Sequence, residues 1–131
     1  MNDVHLPPGW SLATLPELVG RHGFVVDGDW VESKDQDEAG IVRLTQLADV
    51  GDGHFRDRSN RFMRKDQAER LRVTYLRPQD VLIARMPDPL GRACVFPGLP
   101  QEAVTVVDVC IVRADGSVST PRWLAHFVNS P

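Results

Sequence analysis

The stretch from Leu76 to Arg85 reads LRPQDVLIAR, a proline-containing segment followed by an aliphatic run with β-branched residues. Proline restricts its own backbone and that of the preceding residue, so Pro78–Asp80 is predicted to form a turn. β-Branched side chains favour extended backbone, so residues 81–85 are predicted to form a buried strand. A second turn signal, Pro87–Gly91, separates this run from another apolar stretch at Arg92–Phe96. This order of turn, strand, turn and strand indicates a domain built mainly from short strands.

Short apolar runs framed by proline and glycine recur along the rest of the chain. The further predicted strands are Ile41–Thr45, Val104–Val107, Val109–Arg113 and a short one through Trp10 and Leu12. The predicted helices are Pro16–Val19, Lys65–Arg72 and one that begins at Pro121 with Thr120 as its N-cap. Asp115-Gly116 is a hairpin signal. The prediction is therefore an α+β fold: a β-rich, irregular single domain over residues 1–131, with short twisted strands and few short helices, ending in the start of a C-terminal helix.

Length and composition exclude several classes of protein. The chain has 131 residues, of which 42% are hydrophobic and 25% charged, as in an ordinary globular domain. The longest apolar runs are a few residues long, and the N-terminus lacks a basic stretch followed by an apolar core. We therefore expect a cytoplasmic protein without a membrane partner. Cys94 and Cys110 are predicted to be small core residues rather than a disulfide framework.

The formal net charge of −3 hides an uneven distribution of charge along the chain. The acidic segment, residues 27–38, holds six acids and one base, whereas the basic segment, residues 54–92, holds ten bases and five acids. Thirteen of the fifteen bases are arginine, whose planar guanidinium suits phosphates and guanine edges. Composition alone leaves two interpretations of the basic segment open, a solvated surface and a phosphate-binding surface.

The familiar catalytic and metal-binding motifs are missing from the sequence. Residues 35–46 have part of the spacing of a calcium loop, but Ala39 and Gln46 stand where oxygen and bidentate carboxylate ligands are needed. The four histidines and two cysteines lack zinc-ligand spacing, and neither a phosphate-binding glycine loop nor a Gly-x-Ser-x-Gly elbow is present. We therefore predict a protein that is not an enzyme and that needs no cofactor.

Four motifs together resemble the target-recognition domain of the specificity (S) subunit of type I restriction–modification systems. They are Leu6-Pro-x-Gly-Trp10, the segment from Gly40 to Gly53, the segment from Leu76 to Arg85 followed by Leu90-Gly91-Arg92, and Pro121-x-x-Leu124 followed by Asn129-Ser130-Pro131. The resemblance covers nearly the whole chain. One departure is Gln79, which stands where the family usually has glycine.

The resemblance implies sequence-specific binding of double-stranded DNA without catalysis. In this family, partner methyltransferase (M) subunits modify an adenine and a restriction (R) subunit cleaves DNA. The family fold is a β-rich α+β domain followed by a helix that usually continues as a long spacer. The resemblance therefore implies either one recognition domain cut from a longer protein before its spacer helix or a natural half-subunit. An apolar face at Trp123, Leu124, Phe127 and Val128 also predicts a homodimer as one way to cover it.

The candidate DNA-binding residues come from the basic segment and from polar residues beside predicted strands. They are Gln46, Arg56, Arg58, Asn60, Arg61, Arg64, Lys65, Arg72, Arg85 and Arg92. Gln46 and Arg85 each follow an apolar strand, where a side chain can be aimed at base edges, whereas Arg61, Arg64 and Lys65 suit phosphate contact.

Other interpretations of the same residues stay open at this point. Gln46 can equally cap a turn, and Arg85 can equally pair with Asp80 or Asp88. Trp10 and Trp123 are predicted to lie in the core. The alternative function is a protein-interaction module that binds a basic partner through the acidic segment.

Overall fold

A computed structural model of the chain describes residues 5–86 and 91–130. Within these residues, seven strands form two sheets, and three α-helices accompany them. The strands are β1 (Phe24–Asp27), β2 (Val42–Thr45), β3 (Arg61–Met63), β4 (Val81–Ala84), β5 (Ala93–Val95), β6 (Ala103–Thr105) and β7 (Val109–Arg113). The helices are α1 (Leu15–Val19), α2 (Lys65–Leu71) and α3 (Pro121–Asn129). The predicted α+β, β-rich fold is confirmed.

The larger sheet contains four antiparallel strands in the order β1-β7-β4-β5. Its centre is the pairing of β4 with β7, in which Leu82 lies opposite Ile111. Both residues are fully buried, because each side of this sheet is covered by other parts of the chain. The decisive stretch of the sequence therefore forms a central strand, as its apolar run predicts.

The smaller sheet has three strands in the order β3-β2-β6. β2 pairs with β3 in antiparallel fashion and with β6 in parallel fashion, with Arg43 opposite Ala103. Alternation along β2 sends Val42 and Leu44 to one side and Arg43 and Thr45 to the other, and all four are buried.

Three apolar clusters hold these layers together. One face of the four-stranded sheet, including Leu82 and Ile111, packs against Val50 and Leu76. Its opposite face packs against α1 and α3, and the three-stranded sheet packs against α2. The second cluster contains Val19, Val81, Ala93, Val112, Leu124 and Ala125. The third contains Val42, Leu44, Met63, Ala68 and Val104.

The end of α3 is tied to the edge of the four-stranded sheet by one side chain. The Asn129 Oδ1 accepts a hydrogen bond from the Ala93 N–H at 2.7 Å, and the Asn129 Nδ2 donates to the Ala93 carbonyl at 2.8 Å. The side-chain amide thereby pairs with both backbone polar groups of Ala93, whose carbonyl also accepts a hydrogen bond from the Gly53 N–H at 2.9 Å. This is the structural role of the asparagine in the Asn-Ser-Pro motif.

Gln79, which stands where the family usually has glycine, lies in the turn before β4. Its φ is 79°, in the left-handed region that favours glycine, while its N–H donates to the Phe96 carbonyl at 2.8 Å. The glycine that the family usually has here would therefore adopt this backbone conformation without strain, and glutamine adopts it in this chain. Asp80, which follows, is buried and makes a two-pronged ion pair with Arg113 at 2.7 Å.

Most predicted elements are confirmed. They include the strands at 42–45, 81–84, 93–95 and 109–113, the helices α1 and α2, and the start of α3 with Thr120 as N-cap. Cys94 is buried and Cys110 is half-buried, so the core prediction holds fully for Cys94 alone.

Several local predictions are wrong. No strand forms through Trp10 and Leu12, and Trp10 is exposed. Trp123 is also exposed rather than in the core. Asp115-Gly116 forms no hairpin, because the Asp115 carboxylate instead accepts hydrogen bonds from Ser117 and from the His22 N–H. The chain then enters α3.

Replacing Asn129 with alanine should destabilise the fold by about 1–3 kcal/mol, since the Ala93 N–H loses its partner and the Ala93 carbonyl keeps only the Gly53 N–H. Urea unfolding of the wild type and the variant measures this difference. His126→Ala, an exposed change on the same helix, is the control and should stay within about 0.5 kcal/mol of wild type. Equal stabilities for all three proteins would contradict the structural role of Asn129.

Candidate nucleic-acid interface

The segment from Gln46 to Ser59 is organised around the carboxylate of Asp49, which is fully buried. This carboxylate accepts hydrogen bonds from the N–H groups of Gln46 at 2.7 Å, Arg58 at 2.6 Å and Ser59 at 2.8 Å. The Ser59 hydroxyl donates a further bond at 2.5 Å. One side chain therefore fixes both ends of the segment.

Arg43 supplies the positive charge that compensates this buried carboxylate. Its guanidinium contacts Asp49 at 3.2 Å and Asp57 at 2.6 Å, and its side chain is nearly inaccessible to solvent. The same guanidinium donates to the Ser59 hydroxyl at 3.2 Å. An unpaired buried charge would be costly, so β2 and the segment that follows it are stable only together.

Opposing effects act on the pKa of Asp49. Burial raises it, but the hydrogen bonds from the Ser59 hydroxyl and from the N–H groups of Ser59, Gln46 and Arg58 lower it more. The net effect lowers the pKa of Asp49 below its ordinary value of 3.8. Asp49 is therefore charged at neutral pH and holds the segment as a carboxylate.

This anchored segment and the two residues after it present basic and amide side chains to solvent. Arg56, Arg58, Asn60 and Arg61 are all exposed. None of the three arginines forms an ion pair with a carboxylate of residues 5–86 or 91–130. Arg72, exposed at the end of α2, is likewise without a carboxylate partner in those ranges. The sequence-predicted candidates of this group thus keep their charge available for an outside partner.

Arg64 and Lys65 are engaged within the protein. Lys65 contacts Glu102 at 2.7 Å and Glu69 at 3.2 Å, and its ammonium lies 4.3 Å from the centre of the Tyr75 ring. The hydrogen bond to Glu102, followed by those to Tyr75 and Glu69, raises the pKa of Lys65. Arg64 contacts Asp66 at 3.2 Å, and both side chains are exposed.

Arg85 and Arg92 also have partners in the chain. Arg85 pairs with Asp27 at 2.7 Å, so the predicted partner Asp80, which binds Arg113, is wrong, and Asp88 lies outside the described residues. Arg92 donates to the carbonyls of Val50 at 2.5 Å and Leu47 at 2.9 Å. Arg92, which directly precedes β5, thereby holds the turn that contains Asp49. A DNA contact by either arginine stays a prediction.

The structure brings Gln46, Asn60 and Arg61 to two adjoining grooves. Gln46 lines the first groove together with Trp30 and Asp108. Asn60 and Arg61 line the second. Ser33 and Gln36, which line both grooves, stand between them. Sequence reasoning missed Gln36 because it regarded residues 27–38 only as an acidic run.

Most carboxylates of that acidic segment serve local structure. Asp27 pairs with Arg85, Asp29 accepts a hydrogen bond from the Thr74 N–H at 2.9 Å, and Asp35 is buried. Asp37 accepts from the Ala39 N–H at 2.8 Å, and Glu32 contacts Lys34 at 3.2 Å. Five of the six carboxylates therefore have contacts within the chain, and binding of a basic partner protein through this segment stays a prediction.

Two further observations on the described residues concern metal binding and thiol chemistry. Across residues 5–86 and 91–130, no three His, Cys, Asp or Glu side chains gather in a way that could hold a metal ion. Burial raises the pKa of the Cys94 thiol to about 12, which keeps it protonated and unreactive. None of the described helices combines the length and the apolar character needed to cross a membrane.

Replacing Asp49 with asparagine should destabilise the fold by about 3–5 kcal/mol at neutral pH, because Arg43 loses a buried partner. Since the pKa of Asp49 is lowered in the folded state, its contribution is present above about pH 4 and is lost as pH falls through the folded-state pKa. The difference between wild type and variant in urea unfolding should therefore shrink below pH 4. Asp52→Asn, an exposed change in the same segment, should have little effect. A difference that stays constant with pH would contradict the charged state of Asp49.

The fold of this chain is similar to that of parts of larger solved proteins. No family model matches the sequence, and no curated protein matches it. Among the solved structures that match, two have 24% and 23% identity and TM-scores of 0.68 and 0.67. The first belongs to work on complex assembly and conformational transition of the type I R-M system, and the second is the HsdS subunit from Thermoanaerobacter tengcongensis.

The matches include almost all of this chain but a small part of the others. They cover 95% and 96% of this chain and 28% of each solved chain. The shared structure is therefore nearly all of this chain, and it forms about a quarter of each solved chain. The chain has the fold found within the HsdS specificity subunit of restriction–modification systems, which confirms, for the fold, the resemblance indicated by the sequence motifs.

Proposed function

We propose that the chain binds double-stranded DNA in a sequence-specific manner, as the non-catalytic recognition module of a restriction–modification system. The observation that carries this proposal is the set of exposed arginines on, or just after, the segment anchored by Asp49. Arg56, Arg58 and Arg61 lack a carboxylate partner among the described residues, although the chain as a whole is acidic. A rigid segment with free guanidinium groups is suited to phosphates.

The net negative charge does not oppose this proposal. At physiological ionic strength charges are screened over about 8 Å, so acids on other surfaces do not cancel the field at these arginines. Of the acids in residues 27–38, Asp27 pairs with Arg85 and Glu32 with Lys34. The proposed phosphate contact therefore depends on the individual exposed guanidinium groups and not on net charge.

Phosphate contact and base contact have different candidates in this proposal. Arg56, Arg58, Arg61 and Arg72 hold the DNA backbone, which provides affinity but no sequence information. Gln46, at the first groove, has the chemistry to read an adenine through two hydrogen bonds. Arg92 and Lys65 are already engaged within the protein, Arg92 with backbone carbonyls and Lys65 with Glu69 and Glu102. Their position in the sequence therefore favours DNA contact more than their contacts in the structure do.

The proposed partners follow from the same assignment. In this proposal the bound module directs adenine-methyltransferase (M) subunits and a restriction (R) subunit to the DNA site. The fold shared with a segment of HsdS supports this assignment. The catalytic groups of the system then lie in those partners, in keeping with the lack of catalytic motifs in the sequence.

Self-association through α3 is a second proposed contact. Trp123 and Phe127 are exposed and stack on each other, with ring centres 5.4 Å apart. Leu124 packs inward on the four-stranded sheet, and Val128 packs beside it. Two stacked aromatic rings at the surface form an apolar patch that a second copy can cover.

The protein should bind duplex DNA weakly and with strong dependence on salt. If about four to six bases meet phosphates, the logarithm of the binding constant should fall with the logarithm of salt at a slope near −4 to −5, using roughly −0.9 per contact. Fluorescence anisotropy at several salt concentrations measures the slope. Arg61→Ala should make it shallower by about one.

The control for this measurement is Arg122→Ala, which removes an exposed arginine from α3, on the helix-covered side of the four-stranded sheet. This variant should keep the wild-type slope. The absence of binding at low salt, or a flat salt response, would remove DNA as the partner.

The proposed homodimer should appear as a rise in average mass with protein concentration in sedimentation experiments. Replacing both Trp123 and Phe127 with serine should abolish the rise, because the apolar patch is lost. A wild-type protein that stays monomeric at all concentrations would contradict this contact.

A further inference from the structure

The segment between Glu32 and Gln36 forms a single tight 3₁₀ turn. The Asp35 N–H donates to the Glu32 carbonyl at 2.9 Å, and the Gln36 N–H donates to the Ser33 carbonyl at 3.2 Å. The Asp35 carboxylate accepts from the Glu32 N–H at 3.0 Å, which closes the turn from its other side. The backbone that carries Gln36 is therefore fixed by local hydrogen bonds.

Contacts with distant residues fix this turn on the body of the protein. The Gln67 side chain, on α2, donates to the buried Asp35 carboxylate at 2.8 Å. Just beyond the turn, the Asp37 N–H donates to the Phe62 carbonyl on β3 at 2.9 Å. The turn is thus held between a helix and a strand rather than free in a loop. Such support is what a base-reading side chain needs, because its geometry must be set before binding.

The turn forms a ridge between the two grooves described above. Ser33 and Gln36 line both of them, with Gln46 on one side and Asn60 on the other. The amide of Gln36 is accessible to solvent, and within residues 5–86 and 91–130 it makes no side-chain hydrogen bond. Its donor and acceptor are therefore free for an outside ligand.

The charges around the ridge favour bases over phosphates. Asp37 and Glu38 line the second groove beside Gln36, and Glu32 and Asp108 line the first. These carboxylates repel phosphates from the centre of the ridge. A base edge with a hydrogen-bond donor can still bind there. The free arginines of the anchored segment, Arg56 and Arg58, lie in a different part of the chain and can hold the DNA backbone.

We infer that the turn from Ser33 to Gln36 is a base-reading ridge, and that Gln36 contacts an adenine of the target through two hydrogen bonds. The inference rests on the proposed function, which it deepens by naming a specificity-determining residue. The Gln36 amide oxygen accepts from adenine N6, and the amide nitrogen donates to N7. Gln46, across the first groove, then reads a neighbouring position of the same site.

Selection from a randomised duplex library gives the sequence preferred by the wild-type protein, and anisotropy then measures binding to that duplex and to a scrambled one. Gln36→Ala should lose about 5- to 150-fold in affinity for the preferred duplex and little for the scrambled one. Repeating the selection with this variant should remove the preference for adenine at one position. Gln36→Glu should shift that position towards cytosine, whose N4 amino group donates to a carboxylate.

The matched control is Gln101→Ala, which removes an exposed glutamine that lines neither groove. It should leave the affinity and the selected sequence unchanged. Equal losses on both duplexes, or an unchanged selected sequence for Gln36→Ala, would overturn the inference while the wild type still binds. A wild type that binds no DNA would instead remove the proposed function itself. Thermal unfolding of each variant, with a midpoint near that of wild type, shows that the fold is intact.

Discussion

The buried ion pair between Arg43 and Asp49 is the interaction on which the rest of the proposed recognition surface depends. A carboxylate without solvent is stable only where hydrogen bonds and an opposite charge surround it. Asp49 obtains both, from the N–H groups at the two ends of its own segment and from the guanidinium on β2. The shape of the exposed segment is therefore set from inside the protein, and its outer side chains are free for a partner.

The arginines discussed above fall into two groups, those that have partners within the protein and those that are exposed without a carboxylate partner among the described residues. Arginines placed near the core are used for structure, as Arg43, Arg92 and Arg113 show. Arginines on the anchored segment have no such role within the described residues. Affinity for a polyanion thus depends on where the guanidinium groups lie and on what surrounds them, while net charge is a poor guide.

The sequence allowed much of the fold to be predicted, because local signals were strong where burial was complete. The run from Val81 to Ala84 became a central strand, and Thr120-Pro121 began a helix. Two strands were missed, β1 and β3, since each is short and begins or ends among charged residues. Their positions are determined by pairing with β7 and β2, which no local pattern contains.

The candidate site was predicted less completely, for a physical reason. The basic residues could be found by composition, but Asp49 and Ser59 look like ordinary polar loop residues in the sequence. Alternation in β2 indicates that Arg43 and Leu44 face opposite ways, yet it does not show that both sides are covered. Burial of a polar residue depends on chain segments far away in sequence, so neither the anchor nor the ridge at Gln36 could be derived from spacing alone.

The parallel pairing of β2 with β6 has a consequence for the order in which the domain assembles. This pairing places residue 43 opposite residue 103, so the chain between them must be closed into a large loop before the three-stranded sheet is complete. Closing such a loop reduces the entropy of the chain, and this loss is offset only when the contacts of the finished sheet have formed. Non-local pairing is therefore a slow step. The excised peptide from 46 to 59 would lack both Arg43 and the sheet behind it. The proposed recognition surface thus depends on the whole domain, and we expect that it cannot be transplanted as a loop.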